Sequence, residues 1–114
     1  MSEADWKYLR QLKPVALNRL CERILLEIGV VCDLGSEFHE NFLRVLSQAE
    51  EGNSDVAMIF DDLRRSNAIQ RLGLMRGHRL ITDREFAGFS KPTRDAAARI
   101  ADSRLFFVRK VERA

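Results

Sequence analysis

The stretch VALNRLCERILLEIGVV, residues 15–31, places Leu17, Leu20, Cys21, Ile24, Ile28 and Val31 at the 3.6-residue period of an α-helix. Val15, Leu25, Leu26 and Val30 widen that stripe past one face, the pattern of a central helix with neighbours on several sides. Upstream, Ser2 stands where it can cap a first helix carrying Trp6, Leu9 and Leu12, with Glu3 and Asp5 at its positive end. Pro14 has no N–H to give and restricts Lys13, so it is expected to open a new helix and leave residues 15–31 as the centre of the fold.

Downstream, Leu34-Gly35-Ser36 reads as a stop and a restart: Gly35 suits a left-handed C′ position and Ser36 an N-cap. Phe38, Phe42, Val45, Leu46 and Ala49 fall on one helix face, and Glu50-Glu51-Gly52-Asn53 predicts its end. Ser54 then caps a third long segment carrying Val56, Ile59, Phe60 and Leu63, which makes 37–51 and 55–76 a helical hairpin. The third segment's stripe changes phase near Arg65-Ser66-Asn67. A straight helix passing from one packing partner to another is the preferred reading, over a break at Ser66.

Thr82-Asp83-Arg84-Glu85 matches a capping box, with Ile81 and Phe86 placed as a hydrophobic staple, and predicts a short helix over 83–88. Ser90-Lys91-Pro92 starts a C-terminal helix over 92–111. Its last turns, including Leu105 to Val108, also have strand composition, but no other segment alternates with period two to pair with them. The expectation is therefore an all-α, compact bundle of about five or six helices forming one domain over 1–114.

Composition agrees with a folded domain: of 114 residues, 46% are apolar and 32% charged, at a net charge of +2. No apolar run reaches the about 18 residues that a membrane span requires. Cys21 and Cys32 would stand about 16 Å apart along one helix, too far for a disulfide. With no signal-type N-terminus, two buried thiols and a reducing cytoplasm are the expectation.

Neither a P-loop nor a dinucleotide fingerprint is present, and His39 and His78 lack metal-ligand spacing; no cofactor or metal is expected. Cys21 and Cys32 lie in apolar surroundings, where thiols are inert, so neither is expected to act as a nucleophile. Asp61-Asp62 is followed by Arg64 and Arg65 at ion-pairing distance along a helix, which favours a structural role.

Two surfaces remain as candidates. Charge is segregated: residues 33–62 hold eight acids against Arg44 alone, while Arg64, Arg65, Arg71, Arg76 and Arg79 follow with no acid among them. These arginines suit an anion or a nucleic-acid backbone, and the Thr82 to Ile100 layout is superficially similar to a helix-turn-helix. Against that, the net charge is small, and Arg94, Arg99, Arg104 and Arg109 scatter round the last helix. The other candidate is apolar: Trp6, Tyr8 and Phe106 fall off the best core stripes and suit a protein interface. Without catalytic motifs, the sequence points to a non-enzymatic helical interaction protein that pairs with itself or with another protein, with nucleic-acid binding through the arginines as the alternative.

Overall fold

The protein is described by a computed structural model, covering residues 1–35 and 37–113, with side chains described up to 103. It is all-α: α1 (Glu3–Cys32), α2 (Phe38–Phe60), α3 (Ala68–Gly77), α4 (Asp83–Phe86) and α5 (Lys91–Arg113), with a 3-10 turn at Arg65–Asn67 and no strand among the described residues. The expected helical class is therefore what the chain adopts, including a helical backbone through the stretch with strand composition. Several boundaries inside it differ.

Pro14 does not open a helix; it lies inside the 30-residue α1. Pro14 and Arg10 are exposed, so the Arg10 carbonyl that the missing N–H leaves over faces water, while Leu9, Leu12, Ala16 and Leu20 are buried. Ser2 caps the helix as expected, its Oγ accepting from the Asp5 N–H at 3.1 Å. At the far end Asp33 is the cap; no described glycine has a positive φ, so Gly35 does not take the left-handed role expected of it. Ser36, the expected cap of the next helix, lies outside the described residues.

The larger correction is that α2 runs straight through Gly52 and Ser54 to Phe60. Gly52 is buried against α1, where an added Cβ would come within 2.7 Å of Ile24 Cδ1. The close approach of α2 to α1 offsets the roughly 1 kcal/mol that a mid-helix glycine costs. The hairpin is thus α1 with α2, and the expected pair 37–51 and 55–76 does not exist.

The break falls instead at residues 61–67, where the sequence favours one straight helix. Asp62 has φ of 61°, and Asn67 ties the turn by accepting from the Arg64 N–H at 2.9 Å and donating to the Asp62 carbonyl at 2.8 Å. Asn67, not Ser66, organises the turn.

The core gathers at one end of the molecule. Leu9, Leu12, Ala16 and Leu20 of α1 meet Ile59 and Phe60 of α2, Ala68, Leu72 and Met75 of α3, Leu80, Ile81 and Phe89 of the connecting segments, and Ala97 of α5. Helices α3 and α5 touch closely at Gly73, where an added Cβ would lie 2.6 Å from Ile100 Cβ and 3.0 Å from the Ala97 carbonyl oxygen. The other end of the α1/α2 hairpin projects beyond this core. The molecule measures 52 × 29 × 24 Å, and its radius of gyration of 16.1 Å exceeds the roughly 13 Å of a compact chain this long.

Candidate functional site

The projecting hairpin is where the expectation of a central helix fails most informatively. Leu25, Leu26, Val30 and Leu34 of α1 and its following turn are exposed, as are Phe38, Phe42, Leu43 and Leu46 of α2, between 42% and 78% in each case. The α2 stripe read as a core face is therefore largely in water. Val31 is buried and Val45 and Ile28 half-buried where the two helices meet, and Asn41 donates to the Leu34 carbonyl across the turn. Two helices alone cover only the seam between them; their flanks need a third element or a partner.

The candidate arginines do not lie on one helix. Arg64 pairs with Asp62 at 3.1 Å, and Arg65 with Glu3 at 2.5 Å while donating to the Met1 carbonyl at 3.2 Å. Both precede α3, so the shared helix sides expected of Arg64 with Arg71 and of Arg65 with Arg76 are absent. Arg76 pairs with Asp83, donates to the Ile81 carbonyl at 2.7 Å and lies 4.8 Å over the Phe86 ring. Arg71 is half-buried on α3. Arg79 is exposed with φ of 60°, as the left-handed residue that ends α3: its N–H donates to the Arg76 carbonyl, and the Leu80 N–H to the Met75 carbonyl. Arg76, Arg79, Ile81, Thr82, Asp83, Ala101 and Asp102 line an open cleft of about 460 Å³, in which Arg76 is already paired with Asp83.

Of the aromatic candidates, Tyr8 is half-buried: its hydroxyl donates to the Glu85 carbonyl at 2.8 Å, and its ring lies 4.7 Å from Phe89. Trp6 is half-buried against the core, with Arg10 6.0 Å over its ring. The side chain of Phe106 lies outside the described residues. Cys21 is half-buried, but Cys32 is exposed, against the expectation of two buried thiols.

The chain matches no family model, no curated protein and no solved structure. Its own polar constellations must therefore be judged on geometry, and two of them were missed in the sequence.

Asp5, buried in α1, receives Ser90 N–H at 3.1 Å, Ser90 Oγ at 2.5 Å and Thr93 Oγ1 at 2.7 Å. Burial pushes its carboxyl up, but these hydrogen bonds outweigh burial and hold it below its ordinary value. It serves as a cap for α5 supplied from 85 residues away. Glu85 closes the predicted capping box on Thr82 and is also gripped by Arg19, at 2.6 and 3.1 Å. The Arg19 hydrogen bonds hold its carboxyl down to about 2. Arg19 and Arg23 also donate to the Leu80 and His78 carbonyls, at 2.9 and 2.7 Å. Both carboxylates are ionised and fully engaged, which suits fastening the 78–93 segment to α1 and not proton transfer. No gathering of three or more His, Cys, Asp or Glu side chains is poised for a metal among the described residues.

Proposed function

We propose that this chain is a non-enzymatic helical interaction module, working as one domain over 1–114 in the cytoplasm, whose working surface is the projecting end of the α1/α2 hairpin. The observation that carries the reading is the set of eight large apolar side chains, Leu25 through Leu46, that no described element covers. Large apolar side chains left exposed on this scale mark a protein-binding surface in a folded chain. The polar constellations support the same reading, since Asp5 and Glu85 fasten the base from which the hairpin projects. A reducing compartment suits two free thiols, one of them exposed.

Nucleic-acid binding has less in its favour, because Arg64, Arg65 and Arg76 are already paired with carboxylates. The test is capture of proteins from a lysate of the protein's own cells by the wild type and by a Phe38→Asp, Phe42→Asp variant. The module reading expects specific capture, of its own chain or another, that the variant loses. Equal capture by both, or none by either, contradicts it.

A further inference from the structure

We infer that the occupant of the hairpin surface is a second copy of this chain, docked hairpin to hairpin as a four-helix arrangement; this rests on the interaction-module reading and names its partner. At about 150–250 Å² for a whole large side chain, the exposed fractions at the hairpin end amount to roughly 700–1,200 Å² of apolar surface, spread over both helices. Each partner in a standard interface buries about 800 Å². One additional hairpin supplies the two helices that turn a half-covered pair into a four-helix core.

At about 100° per residue, Phe42, Leu46 and Ala49 lie within roughly 80° of Phe38, whereas Glu40, Arg44 and Glu51 lie roughly 120–160° from it. The Phe38 stripe carries no charge along its middle and has only Glu50 at its border. A two-fold axis brings the residues nearest it against their own copies, and a charge-free stripe tolerates this where the acidic flank would not. Phe38, Phe42, Val45, Ala49 and Gly52 follow the four-three spacing of a helix seam, and its Gly52 end already lies against Ile24 of α1. Phe38, Phe42 and Ala49 of this spacing are exposed, so an existing helix contact continues outward into uncovered apolar surface.

Sedimentation equilibrium of the full chain, from about 1 to 200 µM, tests the pairing. The wild type is expected to be a dimer in this range, and Phe38→Asp, Phe42→Asp to associate at least about 100-fold more weakly with its helical circular dichroism unchanged, since both side chains are exposed. Val15→Glu, an exposed apolar position away from the hairpin end, is expected to leave the dimer intact. If the double variant loses helix, Phe42→Ser serves in its place with the same expectation. A wild type that stays monomeric, or a dimer that survives loss of Phe38 and Phe42, overturns the inference. A monomer that still captures another protein through Phe38 and Phe42 overturns the second copy alone and leaves the module standing.

Discussion

Asp5 and Glu85 are the residues on which the base of the molecule turns, and both act across long sequence separations. Their carboxyls are held below their ordinary values, Glu85 at about 2, so each stabilises the folded state above its unfolded pKa. That stabilisation is expected to be intact above about pH 4.5 and lost as pH falls toward about 2, read as a falling urea midpoint. Asp5→Asn is expected to cost about 2 kcal/mol at pH 7, through weakened contacts to Ser90 and Thr93, and to flatten part of that acid limb. An unchanged acid limb contradicts the capping role. Arg79 works the other way. Its left-handed backbone costs an L side chain about 1 kcal/mol, so Arg79→Gly is expected to raise stability by about 0.5–1 kcal/mol in the same assay. None of these roles was legible in the sequence, except the Thr82 to Glu85 box. A local cap is written within four residues, whereas the Asp5 to Ser90 contact exists only once α1 and α5 have met.

At the scale of elements, the sequence announced helices well and their ends unevenly. Apolar periodicity and Ser2 and Thr82 caps survive in the structure because they depend on near neighbours alone. Pro14 and Gly52 misled for one reason: each lowers local helix propensity, and each sits where tertiary packing or solvent makes good the loss. The Asp61 to Asn67 break was visible only as a change of stripe phase, a signal that a straight helix between two partners gives as well. Gly73 shows how tightly elements meet where the core is complete. Gly73→Ala is expected to push α3 from α5 and cost about 1–3 kcal/mol in chemical denaturation, because the neighbouring Ala97 carbonyl oxygen belongs to the backbone and cannot swing away. A neutral outcome contradicts that packing.

The whole molecule is a packed base and a projecting hairpin, and this division explains which part of the candidate site the sequence could reveal. Periodicity identified the Phe38 to Ala49 stripe as a surface to be covered, but covering by the chain's own core and by another molecule leave the same pattern. Only the gathering of the core around residues 9–20 of α1 shows that large apolar side chains between residues 25 and 46 stay exposed. Hydrogen exchange measured on dilute and concentrated protein tests this most directly, because it reads the base and the hairpin separately in one experiment. The amides of 38–49 are expected to exchange fast in dilute solution and to gain protection on concentration, while those of 68–77 stay equally protected throughout. A hairpin as protected as α3 at every concentration would contradict the division, and with it the surface on which the proposed function stands.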